Sequence, residues 1–160
     1  MMKIEKLFKD TDAIDKIKIK LPYLFNVAEI ENSRAGKIGM EVGTTRERII
    51  VALLIWKFGE ENVVTEIPTT TPEVDVKVFN QPISIKTITG LGGIKVIWTV
   101  DAQKAKEFVN NYSPIYDMVI VQIKWDMNED DLKMGVHPGG LFFISSVVQQ
   151  KVLDKLGKEN

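Results

Sequence analysis

The chain has 160 residues, 44% of them hydrophobic and 27% charged, which suits one folded domain and is too apolar for disorder. Lys and Arg number 21 and Asp and Glu 22, so the net charge of -1 excludes a uniformly basic nucleic-acid coat, though not a basic face. Cysteine is absent and His137 is the single histidine, which excludes thiolate zinc sites, cysteine nucleophiles and histidine clusters. Hydrolytic chemistry must then run on carboxylates, lysines, hydroxyls and a hard metal ion.

Met1 to Lys20 alternates charged and apolar residues and has no apolar signal core. The longest apolar run, Ile49 to Trp56, is about half of a membrane span. A cytoplasmic protein with no membrane partner is expected. The spacing of Ile4, Leu7, Phe8, Ile14, Ile17 and Ile19 predicts short helices over 3–30, with Pro22 as a break. Residues 31–43, rich in Gly with Asn32 and Ser33, have the composition of a loop. A helix is predicted from Thr44, where Thr44 and Glu47 have the spacing of a capping box, to Phe58 before Gly59. Val63 to Ile67 predicts a strand.

Glu73 to Val78 alternates polar residues with valines, the period of a half-buried strand, and Ile83 to Ile88 repeats the pattern after Phe79-Asn80-Gln81-Pro82. The predicted hairpin pairs 78 with 83, 77 with 84 and 75 with 86. Val74, Val76, Val78, Ile83, Ile85 and Thr87 then share the core face, and Asp75, Lys77, Ser84 and Lys86 the other. Beyond the glycine-rich loop 90–93, elements are predicted as a strand at Lys95–Thr99, a helix at Asp101–Asn111, a buried strand at Tyr116–Ile123, a turn at His137-Pro138-Gly139-Gly140, a strand at Leu141–Ile144 and a helix at Val147–Leu156. The expected class is α/β (α+β), a mixed central sheet with flanking helices. A single domain over 1–160 is expected, with an N-terminal extension at 1–43, a core at 44–124 and a C-terminal strand and helix at 125–160.

Asp75 opposite Lys86 is the constellation with chemical content. A carboxylate is a hard oxygen ligand for Mg²⁺, and a neighbouring ammonium can position water or stabilise a phosphoryl transition state. The same pair on a solvated strand is otherwise a surface ion pair worth under about 1 kcal/mol. Ser84 and Lys86 also share a strand face, but nothing marks the oxyanion hole or desolvated lysine that a Ser–Lys hydrolase needs.

Pro72-Glu73-Val74-Asp75, Ser84-Ile85-Lys86 and the element order from Thr44 to Ile123 together resemble the PD-(D/E)XK nuclease superfamily, and most closely its type II restriction endonucleases. The resemblance covers about half of the chain. It implies an αβββαβ core and an endonuclease that hydrolyses DNA phosphodiesters with Mg²⁺, or Mn²⁺ in its place. Asp75 would be a metal ligand, Lys86 the motif lysine, and the Ile85 carbonyl a further ligand. Glu47 matches the acid that several members carry on the first core helix. It heads the stripe Ile50, Val51, Leu54 and Phe58, although the capping box alone would also account for it. The family's usual acid two residues before the lysine is Ser84 here, a hydroxyl that can touch the metal or its water but brings no charge.

Double-stranded DNA is the expected partner, cut by a homodimer on a palindromic target. Arg34, Lys37, Arg46, Arg48 and Lys95 would contact phosphates, with Lys124 as a possible neighbour. Arg34 or Asn32 would reach base edges. Met40, in its glycine-flanked loop, would wedge between base steps or else anchor the loop from inside. The competing readings are a Holliday-junction resolvase or repair nuclease of the same fold, and a DNA-binding module whose site has lapsed at Ser84.

Overall fold

The structure, a computed structural model, describes residues 4–34, 36, 40–71, 73–89, 102–125 and 136–157. Three helices come first: α1 (Glu5–Lys9), α2 (Thr11–Arg34) and α3 (Met40–Phe58). Ala13, Ile17, Leu21, Phe25 and Ala28 recur at intervals of four and three residues, so they form one buried stripe along α2. The Asp10 carboxylate accepts the Ala13 N–H at 3.0 Å at the start of α2 and pairs with Lys57 at the end of α3.

Two helical expectations need correction. Pro22 does not break the chain; it lies buried inside α2. An interior proline costs about 3 kcal/mol. Burying Ile17, Leu21 and Phe25 on either side returns roughly 1.5–3 kcal/mol each, which outweighs it. Residues 31–43 are not one loop either, since α2 runs through Arg34 and α3 already starts at Met40. Asn32 is buried there, and its Nδ2 donates to the Ala28 carbonyl at 2.7 Å and to Thr45 Oγ1 at 3.3 Å. It bolts α2 to α3 instead of reading bases.

Among the described residues the sheet has five strands, in the order β1 (Val63–Val64), β2 (Val76–Val78), β3 (Gln81–Thr89), β4 (Asp117–Trp125) and β5 (Val136–Ile144). β3 and β4 are parallel and the other pairs antiparallel, so the sheet is mixed. α4 (Ala102–Asn111) lies between β3 and β4 in sequence. α5 (Ser146–Val152) follows β5 and ends in a π turn at Leu153–Gly157. The expected αβββαβ order is thus α3, β1, β2, β3, α4, β4. Val76, Val78, Ile83, Ile85, Val119, Val121 and Ile123 line one sheet face and pack on Ile50 and Leu54 of α3 and on the α2 stripe. No helix among the described residues is long and apolar enough to cross a membrane.

The hairpin register differs from the expected one by two residues: Val78 pairs with Gln81, Lys77 with Pro82 and Val76 with Ile83. The loop is therefore two residues long, with Phe79 at φ 50° and Asn80 at φ 67°. Both signs suit a type I′ turn, whose twist matches the strands. Phe79 tolerates this conformation because its ring packs edge-on against Phe58 at 5.4 Å and its N–H donates to the Asn62 carbonyl at 2.8 Å. A shift of two residues keeps every side chain on its expected face.

Two further expectations change at the ends of strands. Val63–Ile67 is strand only at Val63 and Val64. His137 to Gly140 is not a turn but part of β5, with His137 aligned on Lys124. The register slips between Gln122 and Ile123, and Gly140 sits at φ 148° beneath the Phe142 ring. That irregularity lets a turn-like sequence stay in the sheet. The expected strand 95–99 and the loop 90–93, with Lys95 and Trp98, lie outside the described residues, as does Lys37.

Candidate active site

β2 begins only at Val76, one residue after Asp75. The Asp75 N–H donates to the Ile83 carbonyl at 3.0 Å, while Val76 is the residue aligned with Ile83. Two residues facing one is a β-bulge, a device that re-aims a side chain. Here the Asp75 carboxylate turns to β3, and its Oδ2 accepts the Ile85 N–H at 2.6 Å. A side chain thus takes the place of the next backbone rung. In a strand the N–H and C=O of one residue point to the same edge, so the Ile85 carbonyl is directed to the side occupied by Asp75.

The Ser84 hydroxyl donates to the Asp75 carboxylate and is itself buried. Lys86 is half-buried and close enough for its charge to act on both Asp75 and Glu47. Burial pushes the Asp75 carboxyl above its ordinary value. The Ile85 N–H, the Lys86 ammonium and the Ser84 hydroxyl oppose that rise.

α3 brings in Glu47. Because α3 starts at Met40, Thr44 is interior to the helix and the predicted capping box does not exist. The local, structural account of Glu47 therefore falls away. Glu47 stands three and seven residues before the buried Ile50 and Leu54, at the site end of the core-facing stripe. Burial raises its carboxyl first and the Asp75 charge second, while Lys86 and Arg46 lower it. The fold therefore brings Glu47, Asp75, Ser84 and Lys86 into one electrostatic unit at the junction of α3 with the β2–β3 hairpin.

The remaining acids and cations are placed differently. Glu66 and Glu73 are exposed, and the Glu73 charge acts on the Tyr112 phenol. Arg46 is mostly buried and faces Glu29 of α2 at 3.9 Å. Arg48 and Arg34 are exposed. Met40 is the first residue of α3, not part of a loop. The bulge, the Ile85 N–H and the Ser84 donation were invisible to strand periodicity, since alternation carries no signal for where a ladder stops.

Two half-buried carboxylates, both raised by burial and Glu47 also by the Asp75 charge, suit a further cation beside Lys86. Two carboxylates, a serine hydroxyl and a strand carbonyl are all hard oxygen donors, the set that Mg²⁺ takes while keeping several waters. Among the described residues no cluster of three or more His, Asp or Glu is assembled, so a metal would rest on these two acids. The residues fit a divalent cation.

The sequence profile of the ThaI restriction endonuclease family matches residues 7–160. The chain belongs to the ThaI restriction endonuclease family. As a member it is a type II restriction endonuclease, an endodeoxyribonuclease, and the junction-resolvase reading falls. A solved structure described as a restriction endonuclease in complex with substrate DNA superposes with a TM-score of 0.79 and 51% identity, covering 98% of this chain and 71% of that one. No match is found among curated proteins.

Proposed function

We propose that this ThaI-family chain cuts double-stranded DNA at a specific sequence with Mg²⁺, or Mn²⁺ in its place, using Asp75, Glu47 and Lys86, and that it works as a homodimer in the cytoplasm. The observation that carries the reading is the shared electrostatics of these groups where α3 meets the hairpin bulge. Asp75, Glu47 and the Ile85 carbonyl would hold the ion. When bound, a divalent cation neutralises charge developing on phosphate and acidifies water. The Lys86 ammonium hydrogen-bonds the attacking water or a phosphate oxygen. The Ser84 hydroxyl and the Ile85 N–H fix the Asp75 carboxylate so that no reorganisation is needed when DNA arrives. Water adds to phosphorus as the 3′-oxygen leaves, which yields a 5′-phosphate and a 3′-hydroxyl.

Arg48, next to Glu47 on α3, is exposed and would contact phosphates, while Arg34 is exposed at the end of α2. Arg46, held by Glu29, would reach DNA only by giving up that partner. Lys37, Met40 and Lys95 complete the proposed DNA-facing set. Digestion of plasmid and phage DNA with Mg²⁺ or EDTA, beside Asp75→Ala and Lys86→Ala, tests the reading. Discrete metal-dependent fragments that both substitutions abolish are expected. Duplex DNA left intact under every metal would instead favour a binding module that has lost its chemistry at Ser84.

A further inference from the structure

α2 buries Ala13, Ile17, Leu21, Phe25, Ala28 and Asn32 against the domain. Its opposite side is also apolar. Ile19 is 77% exposed, Tyr23 68%, Ile30 49% and Val27 39%. At about 100° per residue these four side chains fall within roughly 80° of arc, centred about 150° from the middle of the buried stripe. Asp12 and Lys16 continue the outward line at one end and Arg34 at the other, and all three are exposed.

The outward line is Asp12, Lys16, Ile19, Tyr23, Val27, Ile30 and Arg34. Its spacings read 4, 3, 4, 4, 3, 4, the same in both directions about Tyr23. Each half is an 11-residue unit, close to the natural period of a straight helix, so the line does not wind away from a partner. We propose that this face of α2 packs antiparallel on the same face of a second copy, with Tyr23 on the twofold axis. A twofold contact is self-complementary by necessity, and this line meets that demand residue by residue. Tyr23 meets the partner's Tyr23 and Ile19 meets the partner's Val27. The Lys16 stem covers the partner's Ile30 while its ammonium stays in water. Asp12 meets the partner's Arg34 at each end. No like charges are brought together along the line.

β5 is a less suitable edge for self-pairing. It carries Pro138, a register slip and the φ 148° of Gly140, features that block strand addition. The α2 contact gives a surface to the homodimer reading above and rests on it. The test separates the two, because mass is measured without DNA and cleavage is measured in parallel.

The full chain is weighed by light scattering and sedimentation at micromolar concentration, and a dimer is expected. Tyr23→Glu places a charge on the axis and should raise the dissociation constant roughly 30-fold or more, as a central hot spot does. Asp12→Arg and Arg34→Asp should each weaken self-association, and a mixture of the two should form the heterodimer in preference to either homodimer. The chain has no cysteine, so single cysteines report cleanly. Tyr23→Cys should oxidise to a disulfide-linked dimer. Ile19→Cys alone should not, while Ile19→Cys mixed with Val27→Cys should. A monomeric wild type, a Tyr23→Glu dimer of unchanged affinity, or equal crosslinking at 19 and 23 would overturn the proposal. A monomer that still cuts plasmid would overturn the surface and leave the nuclease reading standing.

Discussion

Ser84→Ala isolates the residue at which the chain departs from the usual acidic motif. Ser84 is buried and its hydroxyl donates to Asp75, whose Oδ2 also accepts the Ile85 N–H at 2.6 Å. Alanine deletes one oxygen and leaves the backbone donor, so little cavity forms and the fold should hold. A hydrogen bond to a charged acceptor is worth roughly 1.5–3 kcal/mol. Asp75 is only half-buried and water recovers part of that, so about 1.4 kcal/mol is the working figure, or one tenfold step. The hydroxyl lowers the Asp75 pKa against the upward push of burial, so its removal moves the pKa further up. Asp75 must be ionised to act. The acid limb of the cleavage profile should therefore move to higher pH, with a rate loss of about tenfold on the acid side that closes at high pH. Plasmid nicking rates across the pH range at fixed divalent ion measure this. A pH-independent loss beyond roughly a thousandfold would show that Ser84 takes part in the chemistry. An unmoved limb would remove the hydroxyl from the account of Asp75.

Glu47→Gln should abolish cleavage while stabilising the metal-free protein at neutral pH. The folded carboxyl keeps a proton that the unfolded chain releases above the ordinary value of 4.5, so stability is lost as pH rises through that window, and glutamine removes the effect. Urea melts in EDTA at pH 4 and pH 7 would show it as a change in stability from pH 4 to pH 7 that is more favourable than in wild type. Asn80→Ala should cost about 1 kcal/mol, because at φ 67° alanine keeps the Cβ but loses the short polar side chain that lets asparagine adopt this conformation, whereas Asn80→Gly should be neutral or slightly stabilising; the urea midpoint decides. Gly140→Ala would place a Cβ 2.3 Å from Phe142 Cζ and should cost about 1–3 kcal/mol. Adding Phe142→Ala should return only part of that, since the backbone at φ 148° stays strained; a double-mutant cycle of thermal melts measures the share.

The sequence showed most about what repeats and least about what stops. The alternation of Glu73 to Val78 identified the faces of the hairpin, and burial of Val76, Val78, Ile83 and Ile85 agrees with it. The same alternation is indifferent to a slip of two residues, so it could not choose between a four-residue loop and the Phe79-Asn80 turn. Asn-Gly is the familiar signal for that turn, and phenylalanine in the first position hides it. Helix ends failed for a related reason. Local cap chemistry favoured Thr44, but contacts between α2 and α3, including Asn32 on Thr45, hold the helix four residues further back. Pro22 and the segment His137 to Gly140 carry strong local preferences that the surrounding core and sheet override. Asp75, Lys86 and Glu47 were legible as candidates because their chemistry is visible in residue type. Their convergence depends on a bulge that leaves no mark in composition.

That bulge also explains how a site with one fewer acid holds its shape. Had β2 continued as a regular ladder through Asp75, a backbone carbonyl would have taken the Ile85 N–H and the carboxylate would have pointed freely to solvent. Ending the strand at Val76 gives that N–H to the Asp75 side chain, and Ser84 adds a second donor from the same strand. In a motif with an acid at 84, two adjacent carboxylates would repel each other and would need a cation to settle. With serine there, the carboxylate at 75 is anchored before any cation arrives, and the remaining repulsion lies across the gap to Glu47 on α3. The expected consequence is a site that binds its ion weakly but with little reorganisation. Ser84→Asp should accordingly tighten Mg²⁺ binding and lower the stability of the metal-free protein together, because it restores a ligand and removes a donor in one step. Isothermal titration of the ion beside urea melts in EDTA would show both changes, and a tighter site with unchanged metal-free stability would refute this account of Ser84.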